Sequence, residues 1–154
     1  MKVILTLLTL FGLLFASGDS KKLVIDLTTG DITQFEKKVL KGIVAHKNHY
    51  ENALQELDVA VVIHGGAYKF FVKDLDATTF KGDEALQKVF QEIKTRTQAM
   101  SDTYDVEFLM CGVGMKKHKL QKNQLAEYVK VVPNSTIGLI DKQNDGYAYL
   151  PIGD

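Results

Sequence analysis

The chain has 154 residues, enough for one domain with a real hydrophobic core. Nineteen basic residues balance nineteen acidic ones, so no whole-chain field draws it toward nucleic acid or an anionic membrane. A single cysteine excludes both a disulfide framework and a CxxC redox pair.

The first 18 residues read as a secretory signal. Met1-Lys2 gives a basic start, Val3 to Phe15 is almost wholly apolar, and Ala16-Ser17-Gly18 supplies small residues before Asp19. An apolar run of about 13 residues is short of the roughly 20 that span a bilayer. Cleavage near Gly18 therefore predicts a soluble, periplasmic or secreted chain of residues 19–154, with no membrane attachment.

Lys22 to Leu27 reads as the first strand, closed by the turn Thr28-Thr29-Gly30-Asp31. A helix is expected from Thr33 to Leu57, with Val39, Ile43, Tyr50, Leu54 and Leu57 on its buried stripe. Asp58 to His64 is a second strand whose apolar run is continuous, the pattern of a strand covered on both faces. His64-Gly65-Gly66 ends it, and a short helix from Ala67 to Lys73 follows. Another helix is expected from Asp83 to Met100, with Leu86, Val89, Phe90, Ile93, Thr97 and Met100 inward.

Val106 to Met110 is the third strand, ending at Cys111. Gly112-Val113-Gly114 and a basic segment from Lys116 to Lys119 come next, then a short helix from Asn123 to Tyr128. Val129 to Val132 is the fourth strand, closed by Pro133. Asn134 or Ser135 caps a last helix, and Tyr147 to Leu150 is the fifth strand. Alternating strands and helices predict a three-layer α/β/α sandwich around a mostly parallel five-stranded sheet. Such sheets bind ligands at the carboxyl ends of their strands, where His64 and Cys111 both fall.

Cys111 is the first candidate for chemistry, as a nucleophilic thiolate favoured by the backbone N–H groups that follow it and by Lys116 and Lys117. The bland alternative is a buried cysteine acting as a small apolar residue. His64 could orient or deprotonate a bound sulfur species, or simply bond the backbone at a strand end. Gly65 could let backbone approach a ligand, or only make the turn. Gly112 and Gly114 resemble a fragment of a phosphate loop, but the third glycine and the Walker lysine are missing. His46 and His49 find no matching metal ligands elsewhere in the sequence, and neither a metal nor another cofactor is expected.

Three groups of residues carry a resemblance. They are His64-Gly65-x-Ala67 with Lys69-Phe70-Phe71, Phe108-Leu109-Met110-Cys111-Gly112 with Met115, and Val131-Val132-Pro133 through Gly146-Tyr147-Ala148-Tyr149. In that order and spacing the chain after its leader resembles the DsrE/DsrF-like family of small sulfur-transfer proteins. The resemblance implies an α/β/α fold, homo-oligomers such as trimers or hexamers, and sulfur carried as a persulfide on the cysteine matched by Cys111. That no nucleic-acid partner is expected rests on the balanced charge. The best-understood members are cytoplasmic, so the export signal leaves sulfur donor and acceptor open. The leading expectation is a periplasmic persulfide carrier, sulfurtransferase-like if active. Its rivals are a non-catalytic oligomeric binding module with a structural cysteine, and a small-ligand or nucleotide binder at the same edge.

Overall fold

A computed structural model describes residues 20–154. The expected signal segment, residues 1–18, lies outside the described residues. Five strands form one sheet in the order β4-β3-β2-β1-β5, every neighbouring pair parallel. They are β1 (Lys21–Leu27), β2 (Leu57–Ile63), β3 (Glu107–Cys111), β4 (Val129–Val132) and β5 (Ala148–Ile152). The chain steps outward from β1 to β4, then crosses back past β1 to lay down β5. Right-handed crossovers put helices on one face during the outward steps and on the opposite face for the return. The return helix, α5 (Ser135–Asn144), accordingly packs across β1, β2, β3 and β4 by itself.

The outward face carries the main core. There α1 (Ile32–Gln34) runs through a π-helical stretch (Phe35–Lys41) into α2 (Gly42–Asn52), with α3 (Glu84–Tyr104) beside it. Phe35 stacks on Phe70 at 4.1 Å between ring centroids and meets Phe71 edge-on at 5.7 Å. Offset and edge contacts of this kind add to the burial of the rings themselves. The α5 face is thinner, resting on Val24, Ala60, Val62 and Leu109.

The first expected helix is corrected on two counts. It stops at Asn52, Leu54 is almost fully exposed with φ 56°, and Leu57 begins β2. Phe35 and Leu40 are buried instead, beside Val39 and Ile43. Val39 and Ile43 keep their expected inward places, and the wider turn of the π-helical stretch brings Leu40 in beside them. The helix expected from Asn123 to Tyr128 is also corrected. A three-residue 3₁₀ turn (Lys122–Gln124) stands there, and the helix forms earlier as α4 (Gly112–Lys117). The segment after Gly66 is a 3₁₀ helix (Ala67–Phe71), fastened to the start of α3 by a 2.7 Å ion pair between Lys69 and the N-cap residue Asp83. The Lys69 ammonium and the Leu86 N–H hold the Asp83 carboxyl below its ordinary value. That fastening matters because Tyr68 lies next to Lys69.

Candidate functional site

Cys111 is the last residue of β3 and the N-cap residue of α4. It is 6% exposed. Two features of the chain converge on it. Cys111 pairs in register with Val132, so the chain leaving β4 brings Ser135, at the start of α5, alongside. Asn134 caps that helix by accepting the Ile137 N–H at 2.9 Å, which leaves the Ser135 N–H among the unpaired amides of the first turn. From the other side, the 3₁₀ segment after β2 delivers Tyr68, whose hydroxyl donates to the Cys111 carbonyl at 2.7 Å.

The sulfur therefore sits in a polar shell inside a mostly apolar core. Burial pushes the Cys111 thiol up. Donors from the Gly114 N–H, the Tyr68 hydroxyl, and the N–H and hydroxyl of Ser135 outweigh it and hold the thiol below its ordinary value. The Tyr68 hydroxyl faces both the carbonyl and the sulfur of Cys111 with a single proton. In the thiol form the 2.7 Å bond to the carbonyl takes it, and ionisation of the sulfur gives the hydroxyl a stronger acceptor to turn to. Burial, then the bond and charge of Cys111, raise Tyr68 far above the usual phenol range, so it stays a donor.

Glycines make the room for this. A Cβ on Gly114 would lie 1.9 Å from the Tyr68 hydroxyl oxygen, and one on Gly112 would lie 3.0 Å from the Val132 carbonyl. Lys116 and Lys117 occupy the last turn of α4, exposed to solvent, and neither is among the groups that set the state of the sulfur. The groups that lower the thiol pKa are hydrogen-bond donors from the backbone, Tyr68 and Ser135.

The β2–β3 register ends at Ile63↔Met110, so His64 and Cys111 each come one residue later at the same carboxyl edge. The His64 ring nevertheless leans the other way. Its Nε2 is 2.5 Å from Asp26 on β1, and the second carboxylate oxygen of Asp26 accepts the Tyr149 hydroxyl at 2.7 Å. Gly65, at φ 61°, packs on the loop after β1, where a Cβ would meet the Thr28 carbonyl at 2.7 Å. Its carbonyl lies 3.2 Å from His118 Nε2, and the His118 ring lies 4.7 Å from that of Tyr68. His46 and His49 remain on α2, and among the described residues no group of three or more His, Cys, Asp or Glu gathers as a metal site.

The sequence pattern of the DsrE/DsrF-like family matches residues 21–152, which takes in every strand and the whole site. The chain belongs to the DsrE/DsrF-like family. It is 28% identical over 158 residues to an uncharacterised protein of Aquifex aeolicus (strain VF5), an alignment covering 98% of this chain and 64% of that protein. The chain thus spans just under two thirds of that relative's length. Its fold is similar to that of MTH1491 from Methanobacterium thermoautotrophicum, itself a protein of unknown function. The TM-score is 0.60 at 18% identity, over 86% of this chain and 99% of the other.

The sequence offers Ser135 only as a helix cap and Tyr68 in no role beside the sulfur, and Tyr68→Phe gives the sharpest test of the shell they form. A hydrogen bond to a charged group is worth about 1.5 kcal/mol, about tenfold in an equilibrium constant. Removing it should raise the thiol pKa and cut the thiolate fraction about tenfold below both values. A more basic thiolate is intrinsically more reactive, with a Brønsted slope of about 0.5, so the observed loss is about threefold. Iodoacetamide alkylation should then be slower than wild type near neutral pH and faster at high pH, with the two profiles crossing. His64→Ala, whose ring is held on Asp26, should leave the profile in place. Parallel profiles for Tyr68→Phe and wild type would remove Tyr68 from the shell.

Proposed function

We propose that the protein carries sulfane sulfur as a persulfide on Cys111, in the periplasm or outside the cell, as a homo-oligomer. Family membership and the set of donors around one ionisable sulfur support the reading. The single observation that carries it is the convergence of Gly114, Tyr68 and Ser135 on Cys111.

The chemistry needs no external redox partner. The Cys111 thiolate attacks the outer sulfur of a persulfide or polysulfide donor. The donor's sulfur–sulfur bond breaks, its inner sulfur leaves as a thiolate, and Cys111 becomes a persulfide. In the second half an acceptor thiolate attacks that same outer sulfur, and Cys111 leaves as a thiolate. A thiol with a lowered pKa is the better leaving group, so the shell favours giving sulfur up over holding it. Tyr68 and Ser135 donate to the charge on the inner sulfur each time it appears. Apolar side chains exposed around this edge, Val113, Ile137 and Ile140, suit a contact between subunits.

A second reading keeps the fold and makes Cys111 structural, and its low exposure favours that reading. Intact mass separates the two. After incubation with inorganic polysulfide and desalting, the folded chain should gain sulfur that dithiothreitol removes. A chain that gains none, and resists iodoacetamide until denatured, is the structural protein.

A further inference from the structure

The whole chain is electrically balanced, but its charge is unevenly placed. No carboxylate occurs between Glu107 and Glu127, and four lysines do: Lys116, Lys117, Lys119 and Lys122. Four other lysines are partnered, Lys69 with Asp83, Lys73 with Glu127, and Lys130 and Lys142 with Glu107, while the remaining ones lie elsewhere in the sequence, among acidic residues or apart from this cluster. None of Lys116, Lys117, Lys119 and Lys122 forms an ion pair among the described residues. Three of them border a groove of about 620 Å³ beside α4 and the edge strand β4. Lys116, Lys119 and Lys122 supply its charge, and Met115, Leu120 and Val131 line it with apolar surface. Gly112, the residue after Cys111, lines it too.

We infer that this groove docks an acidic segment of a partner protein, with acidic side chains on the lysines and apolar ones against Met115, Leu120 and Val131. Charge complementarity selects the sign of the occupant. Size and composition select a polypeptide over a small oxyanion. A small anion would leave the apolar wall unused, and three exposed lysines on flexible stems build no fixed anion pocket. Mixed acidic and apolar side chains use both surfaces. On the reading of Cys111 given above, on which this identification of the partner rests, the docked segment belongs to the sulfur acceptor. The groove then sets which thiols reach Cys111, and the exposed charges speed encounter.

The test uses a fluorescein-labelled, cysteine-free peptide of Asp, Glu and Leu, and a twin with Asn and Gln for the acids. Anisotropy at low salt should show the acidic peptide binding at least about tenfold more tightly than its twin, an advantage that shrinks as salt screens it. Lys119→Glu/Lys122→Glu should abolish the difference, and both side chains are exposed, so the fold is spared. Equal binding of the two peptides, or no effect of the double reversal, overturns the inference. So does displacement of the peptide by thiosulfate beyond that by chloride at equal ionic strength, or tighter binding of an oligonucleotide of equal charge. A chain that binds the acidic peptide but gains no sulfur from polysulfide keeps the groove and loses the Cys111 reading, so the two failures are distinguishable.

Discussion

Cys111→Ser should end sulfur uptake from polysulfide completely while leaving the chain folded. No other cysteine exists to take the sulfur. Serine nearly matches cysteine in size, and its hydroxyl oxygen can accept from the same Gly114, Tyr68 and Ser135 donors. The cost in stability should therefore stay under about 1 kcal/mol, a shift in Tm of no more than about 4 °C for a domain of this size. The substitution also has a pH signature. Because the native thiol pKa is lowered, its contribution to stability is fully present above the ordinary thiol value. That contribution is lost as pH falls through the native one. Between those two values the wild type should gain stability with rising pH, and Cys111→Ser should not. Urea unfolding across the alkaline range measures this directly. Residual sulfur uptake by the variant would place the acceptor atom elsewhere. A flat wild-type stability curve would mean the thiol is not favoured as thiolate in the folded chain.

The architecture was legible because parallel sheets write themselves strongly into sequence. β2 is buried along nearly its whole length and reads as an unbroken apolar run, and β3 leads straight to Cys111 and a helix start. Two kinds of information were not local. The π-helical stretch is a backbone event that a regular repeat cannot register; Val39 and Ile43 are inward as expected, but Phe35 and Leu40 join them unannounced. The groups that tune the sulfur come from elsewhere in the chain, Tyr68 after β2 and Ser135 after β4. A signal for both existed. Each follows the carboxyl end of a strand that neighbours β3, and parallel strands bring those ends together. Attention to the segments after β2 and β4, as well as to the charged residues nearest Cys111, would have found them. Lys116 and Lys117 were chosen for proximity in sequence, but the helix they sit on carries them to its far, exposed end.

Gly114→Ala should destabilise the chain by about 2–4 kcal/mol, and its effect should depend on Tyr68. Helix propensity alone argues the other way. Gly114 lies inside α4 with no need for a positive φ, and alanine there would ordinarily gain up to about 1 kcal/mol. Contact distance decides the sign. The added Cβ would sit 1.9 Å from the Tyr68 hydroxyl oxygen and 2.6 Å from the ring carbon that bears it. That ring is rigid and 1% exposed, so it has no room to withdraw. Overpacking of this kind costs about 1–3 kcal/mol. Displacing the hydroxyl also leaves the Cys111 carbonyl without its 2.7 Å donor, a further 1–3 kcal/mol or so for a buried group. The thiol should lose its Tyr68 donor in the same event and alkylate more slowly at neutral pH. A double-mutant cycle isolates the contact. In a Tyr68→Leu background, Gly114→Ala should cost less than about 1 kcal/mol, because the phenol it collides with is gone. Gly82→Ala, where an added Cβ meets nothing within 4 Å, serves as the control for glycine replacement as such. Additive costs in the cycle would mean that Gly114 is required by the helix or by its N–H on the sulfur, and that Tyr68 does not set the size of residue 114.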